Sequence, residues 1–241
     1  MGTYVLVHGA WHTGQHLELV ADLMRAEGHS VHTPTLAGNR PGETKDVGLS
    51  EAIDSLVNYV IAAEIEDMVL VGHSYGGMVI AGAAEKLEAR IRRLVFWNAF
   101  VPNNGESLLD LVPAHYKSEF GRMAIESPDR TVMLSAAVWR EVFFNDGTAA
   151  QAEVIATTLN PQPYRTFDEP ISLMKNPAEM PVAKSYLNFT DDTAMPHSFP
   201  WHPRLSSKLG LFRLVQGPGG HEVMFTNPTL AASKIIEAGR D

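Results

Sequence analysis

Six short runs of β-forming, largely apolar residues punctuate this chain, and helical patterns separate the first four of them. The runs are TYVLVH (3–8), SVHTPTL (30–36), DMVLVG (67–72), RLVFWN (93–98), AKSYLNFT (183–190) and LFRLVQG (211–217). QHLELVADLMRAEGH (15–29) places Leu17, Val20, Ala21, Leu23 and Met24 at helical spacing, with Gly28 expected as the residue that ends it. LSEAIDSLVNYVIAAE (49–64) lines up Ile53, Leu56, Val57, Val60 and Ile61, with Ser50 expected as N-cap. A third helix is expected over 75–87 and a closing helix over 229–238. Alternating strands and helices build right-handed βαβ units around a parallel sheet. Strands that are apolar throughout belong to a sheet covered on both faces. The expected fold is therefore α/β, a mostly parallel six-stranded sheet flanked by helices.

A chain of 241 residues fits one domain with a well-buried core. The interval 104–182 breaks the rhythm. It offers no evident strand, three short helical runs, and prolines at 161, 163, 170, 177 and 181. Large apolar side chains are scattered through it, among them Leu108, Phe120, Trp139, Phe143, Phe167 and Met174. The expected organisation is a core of residues 1–103 and 183–241 with a helical cap inserted at 104–182. A cap of this composition lines an apolar pocket, and Trp139 is expected there.

The segment VLVGHSYGGMVIAG (69–82) carries the sharpest chemical signal. Gly72-His73-Ser74-Tyr75-Gly76 fits the G-x-S-x-G pattern, follows a strand and opens a helix. A serine on such a turn must take a strained backbone conformation that lifts its hydroxyl above the sheet edge. Side chains two before and two after it would strike the adjoining strand and helix, hence glycine at both places, with Gly77 adding clearance. The first amides of the following helix favour a developing negative charge. Ser74 is expected to be a nucleophile.

Such a nucleophile needs two N–H donors for the tetrahedral oxyanion. Tyr75 supplies one. Ala10, in the loop VHGAW (7–11) after the first strand, supplies the other, and Gly9 allows close backbone approach. Trp11 and His12 follow on this loop and are expected beside the pocket. The loop lacks the spacing of a dinucleotide-binding turn. His8, His12 and His16 are four apart, but Gly9 and Gly14 interrupt any helix that would align them, so no metal site is expected.

Serine also needs a base, and the base needs a group to orient it. Of ten histidines, His221 stands on the Gly/Pro loop VQGPGGHEVMF between the last strand and the last helix. A lone histidine delivered by a glycine loop to the carboxyl edge of the sheet is hard to explain as packing. His197 and His202 are expected at the surface. NFTDDTAMP, leaving the fifth strand, offers Asp192 as the preferred acid and Asp191 as the alternative. Asn98 ends the fourth strand, carries no charge, and is expected to reach the pocket.

Composition narrows the partners. The formal net charge of −9 disfavours nucleic acid and anionic membranes. No cysteine is present, which excludes disulfides, thiolate zinc sites and cysteine nucleophiles. No apolar run approaches the roughly 18 residues of a membrane span. The start MGTYVLVHGAW lacks the basic and apolar regions of a signal peptide, and Leu6 breaks the myristoylation pattern. A cytoplasmic location is expected. Whether the chain forms a homodimer is not legible in the sequence.

With these residues in hand, the whole chain resembles the α/β-hydrolase superfamily. More narrowly it is similar to the branch that holds bacterial esterases, plant methyl esterases and plant hydroxynitrile lyases. VLVHGAWH, GHSVHTPTLAG, VLVGHSYGGMVI and VFWNAFVP carry the resemblance. The resemblance implies a triad of Ser74, Asp192 and His221, and oxyanion donors Ala10 and Tyr75. It implies a serine hydrolase that cleaves a carboxylic ester of a small, largely apolar molecule through an acyl-enzyme, without cofactor. Lyases of this branch carry HT where this chain has His8-Gly9, and a lysine where it has Glu222; both differences favour hydrolysis. Asn98 is shared with the lyases, so a cofactor-free carbon–carbon lyase is the alternative. A slow-turnover ligand receptor on the same fold is a third reading.

Overall fold

The computed structural model describes all residues from Met1 to Asp241. Its central sheet contains β1 (Thr3–Val7), β2 (Ser30–His32), β3 (Met68–His73), β4 (Ile91–Trp97), β7 (Ala183–Phe189) and β8 (Arg213–Gly217). The order across the sheet is β2-β1-β3-β4-β7-β8, and every neighbouring pair is parallel. The sequence reading allowed for an antiparallel member; none is present. β2 ends at His32 rather than Leu36, because Pro34 has no N–H to continue a ladder.

Successive strand residues face opposite layers, and both layers are apolar. Tyr4, Leu6, Val69, Val71, Val95 and Trp97 pack with α1 (Glu18–Ala26) and α10 (Pro228–Gly239) through Val20, Met24 and Ile235. Val5, Val7, Leu70, Leu94 and Phe96 pack with α2 (Leu49–Ala62) and α3 (Gly76–Lys86) through Leu56, Val60, Met78 and Ile80. That two-sided burial is why the strand runs lack a polar alternation.

Helix ends follow local chemistry. After α1 the Gly28 amide bonds to Arg25 O at 2.9 Å and the His29 amide to Met24 O at 3.3 Å, with Gly28 at φ +88°. This is a Schellman ending, and glycine takes the left-handed position without penalty. α2 is capped two residues earlier than expected: Gly48, not Ser50, is its N-cap. Its first amides are satisfied by Glu51, which accepts from Gly48 at 2.9 Å, and by the distant Glu169, which accepts from Leu49 at 3.0 Å.

The segment between β4 and β7 holds α4 (Leu108–Leu111), α5 (Ala114–Glu126), α6 (Ala136–Val138), α7 (Ala149–Ala156) and α8 (Arg165–Asp168). A π-helical turn, Trp139–Phe143, continues α6. It also contains a two-stranded antiparallel pair absent from the sequence reading, β5 (Thr131–Val132) with β6 (Gln162–Pro163). Two-residue strands are too short to leave any periodicity. α9 (Val223–Thr226) precedes α10, and Asn227 caps α10 by accepting from the Leu230 amide at 3.1 Å.

The parallel register brings Val7, His73, Trp97, Phe189 and Gly217 to one edge of the sheet. The loops after them carry residues 8–13, 74–75, 98–100, 190–194 and 218–222.

Close packing at that edge leaves little room for added atoms. A β-carbon on Gly77 would lie 2.2 Å from Phe100 O, against rigid backbone. One on Gly121, inside α5, would meet nothing nearer than Tyr164 Oη at 3.7 Å. Gly77→Ala is expected to cost about 3 kcal/mol by overpacking. Gly121→Ala is expected to gain about 0.5–1 kcal/mol of helix propensity. Urea denaturation of the two variants measures both.

Candidate active site

Ser74 terminates β3 with φ +53°, a left-handed conformation that non-glycine residues rarely adopt. Its amide donates to Trp97 O at 3.1 Å and its carbonyl accepts from the Phe100 amide at 3.2 Å, so β4 and the loop after it hold the turn. A β-carbon on Gly72 would lie 2.6 Å from Gly76 O, and one on Gly76 would lie 2.8 Å from Val7 O. Helix α3 can start directly against the sheet only because both positions lack a side chain. The Ser74 hydroxyl makes no hydrogen bond within the chain.

Ser74 opens onto a narrow, apolar cavity. Of the 14 residues that line it, 13 are hydrophobic and the fourteenth is Ser74. Ala10 and Tyr75 both line it. Their backbone N–H groups take part in none of the chain's internal hydrogen bonds, which is uncommon for buried amides. The two flanking groups of the Ala10–Trp11 peptide are, by contrast, fixed. The Trp11 amide donates to Gln162 Oε1 at 3.1 Å, and His12 Nδ1 donates to Ala10 O at 2.6 Å. Trp11 itself has φ +65° and its indole donates to Val132 O at 3.0 Å, so β5 and β6 clamp the loop from above.

His221 is 2% exposed and Asp192 8%. His221 Nδ1 donates to Asp192 Oδ2 at 2.7 Å. Asp192 Oδ2 also accepts from Asn98 Nδ2 at 2.8 Å, and Oδ1 accepts from the Ala194 amide at 2.8 Å. The His221 ring lies between Trp201, stacked at 5.4 Å, and Phe143 at 5.6 Å, both of which line the Ser74 cavity. From beneath, His73 Nε2 donates to the His221 carbonyl at 3.0 Å. Burial pulls the His221 pKa down, but the Asp192 carboxylate beside it outweighs that, and Glu222 and Asp146 add to it; the net pKa is raised. His73 goes the other way: burial, then the neighbouring His221, hold it well below 6.5, so it is neutral.

The structure thus brings together Ser74, Ala10, Tyr75 and Trp11 at the cavity, and His221 with Asp192 behind its wall. Asp191 turns away and accepts from the Gly219 amide at 2.9 Å. Four residues expected to line the pocket do not. Gly9 packs on the turn itself: a β-carbon there would lie 3.1 Å from Ser74 Cβ. His12 is buried with Phe225 and Trp139, with its Nε2 3.1 Å from Glu222 Oε2. The pair is close but poorly aligned for a hydrogen bond. Glu222 therefore faces His12 rather than the cavity. Asn98, at φ +36°, spends its side chain on Asp192, Phe189 O and the Phe189 amide. Trp139 is fully buried behind Phe143, stacked at 5.9 Å. Met174 is 86% exposed. His202 is half-buried and bonded to Ser206 at 2.6 Å, while His197 is exposed as expected.

Sequence reasoning missed Phe100, Tyr116, Met195 and Trp201 as lining residues. The one usable signal was a tryptophan amid prolines in SFPWHP, shortly after the acid.

The model of the alpha/beta hydrolase family matches residues 4–233. The chain belongs to that family. Along 99% of its length it is 32% identical to a carbendazim hydrolyzing esterase of Nocardioides sp. (strain SG-4G), which it covers completely. An extracellular alpha/beta-hydrolase from a Paenibacillus species, described as sharing structural and functional homology with tobacco salicylic acid binding protein 2, superposes with a TM-score of 0.97. It is 34% identical, and both chains are fully covered. An alpha-hydroxynitrile lyase of Arabidopsis thaliana is 32% identical over 50% of this chain and 46% of its own. No helix is long and apolar enough to cross a membrane.

Asn98 ties the acid to β7 through three bonds. Asn98→Ala leaves the Phe189 amide and one Asp192 oxygen short of partners, and is expected to cost about 2 kcal/mol in denaturant unfolding. A loss below about 0.5 kcal/mol would mean that water replaces the amide freely.

Proposed function

We propose that this carboxylesterase-type hydrolase cleaves small, neutral, largely apolar esters through an acyl-enzyme on Ser74. His221 Nε2 takes the Ser74 proton as Oγ attacks the ester carbonyl. Asp192 holds the proton on Nδ1, which leaves Nε2 as the acceptor, and stabilises the imidazolium that forms. The Ala10 and Tyr75 amides bind the oxyanion; being unpaired within the chain, they need no reorganisation to do so. His221 then returns its proton to the departing alcohol. Water, deprotonated by the same imidazole, attacks the acyl-enzyme and frees the acid. The observation that carries this reading is the pair of unbonded amides beside a strained serine, on a cavity whose lining rings Phe143 and Trp201 pack directly against His221 of the His221–Asp192 pair.

The cavity supports the substrate class. With no charged lining group, it offers no partner to an ionised acyl or alcohol moiety, and burying a charge there unpaired would be costly. The esterase relative that matches from end to end points the same way. The lyase alternative rested on Asn98, an asparagine shared with the lyases, and here that side chain is engaged by Asp192 and Phe189.

Ser74→Ala is expected to lower kcat on p-nitrophenyl acetate by about 10⁵- to 10⁶-fold. A loss of less than tenfold overturns the assignment, and a single stoichiometric burst by the parent protein supports a receptor instead. His221 must be neutral to accept the proton. Its pKa is raised, so activity falls as the pH drops through a value above 6.5. The acidic limb of kcat/KM is expected there, and a limb below 6.5 contradicts the role given to Asp192.

A further inference from the structure

One short stretch of the inserted segment, Val142–Asp146, touches both loops that carry the His221–Asp192 pair. Asp146 Oδ2 accepts from the Gly220 amide at 2.7 Å and from Thr226 Oγ1 at 2.9 Å, spanning His221 from the residue before it to the end of α9. Asn145 Nδ2 donates to Asp191 O at 2.8 Å, and Thr193 Oγ1 donates to Val142 O at 2.9 Å, on either side of Asp192. Phe143, between these anchors, meets the His221 ring at 5.6 Å. Glycine at 220 makes the approach feasible, since a β-carbon there would lie 2.6 Å from Asp146 Oδ1.

The glycines that free the histidine loop leave Pro218 as its one intrinsically stiff residue before His221. Gly219 sits at φ +133°, between Pro218 and Gly220. Before Gly220, the loop is held to its neighbour by the mutual bonds of Asp191 and Gly219 and by the Thr190 amide, which donates to Gly217 O at 2.9 Å. We propose that Asp146 is a positioning residue for the base: its carboxylate fixes the Gly220 amide and Thr226, and so couples the seating of the inserted segment to the orientation of His221. Asp146 touches no reacting atom and acts only through the loop. The inference rests on His221 acting as the base of the proposed reaction.

The charged and titratable groups that face His221 are Asp192 after β7, Glu222 on its own loop, neutral His73 on β3 and Asp146 on the inserted segment. Asp146 is the exposed member of this set, so its substitution disturbs the core least. Two variants separate its geometry from its charge. Asp146→Ala removes both bonds and the charge. Asp146→Asn keeps an acceptor oxygen for Gly220 and Thr226 but no charge.

The test is the pH profile of p-nitrophenyl acetate hydrolysis for both variants, with thermal unfolding followed in parallel and Ser74→Ala as reference. Asp146→Ala is expected to lose about tenfold in kcat, with KM within about twofold, as a displaced base predicts. Asp146→Asn is expected to keep its kcat at pH 9 while its acidic limb moves to lower pH by about 0.3 at low ionic strength. An Asp146→Ala enzyme with parental kcat, or an Asp146→Asn limb that stays in place, overturns the proposal. If Asp146→Ala does not fold, the Asp146→Asn limb decides alone. Activity persisting in Ser74→Ala would instead overturn the underlying hydrolase reading, whatever Asp146 does.

Discussion

The left-handed backbone of Ser74 is the constraint on which the rest of the structure depends. A serine gains nothing locally from that conformation, which costs on the order of 1–3 kcal/mol. It persists because β4 accepts the Ser74 amide, because the chain after β4 donates back to its carbonyl, and because three glycines let strand, helix and loop close around it. The parallel sheet supplies the rigid frame. The same frame delivers the other loops to one edge, since strands that run the same way all end on the same side.

Two further left-handed residues, Trp11 and Asn98, lie at that edge, on the loops after β1 and β4. Each is held by side-chain bonds, and asparagine tolerates that conformation better than tryptophan does. Trp11 is clamped by β5 and β6 of the inserted segment, and Asn98 is bound to Asp192 and Phe189. Strain is thus gathered around the cavity and held by partners far away in sequence. Electrostatics follow the same geometry. The cavity is apolar, yet the histidine behind its wall is bordered by carboxylates at Asp192, Glu222 and Asp146, which raise its pKa against the pull of burial.

Much of this was legible in the sequence, and the reason is locality. The strand runs, the Gly28 helix ending and the G-x-S-x-G turn are encoded within a few residues each, so pattern and sterics suffice. The parallel sheet and its six strands followed from those patterns, and the family from a resemblance carried by four short phrases. The pocket did not. Trp139, His12 and Asn98 are near the site in sequence or composition, but packing turned each side chain to a different partner, and Gly9 packs on the Ser74 turn itself. Trp201 and Tyr116 line the cavity from segments that carry no periodic signal. The N-cap of α2 moved to Gly48 because Glu169, 120 positions along, supplies its acceptor. The β5–β6 pair depends on a contact between two-residue segments that neither segment announces.

The most direct test of the central claim is covalent capture. An aryl fluorophosphonate is incubated with the protein, and the adduct is weighed intact and mapped to a peptide. The account predicts one adduct per chain, on the peptide holding Ser74, formed far more slowly once His221 is replaced by alanine. Labelling at another residue, or at an undiminished rate in Ser74→Ala protein, would contradict it.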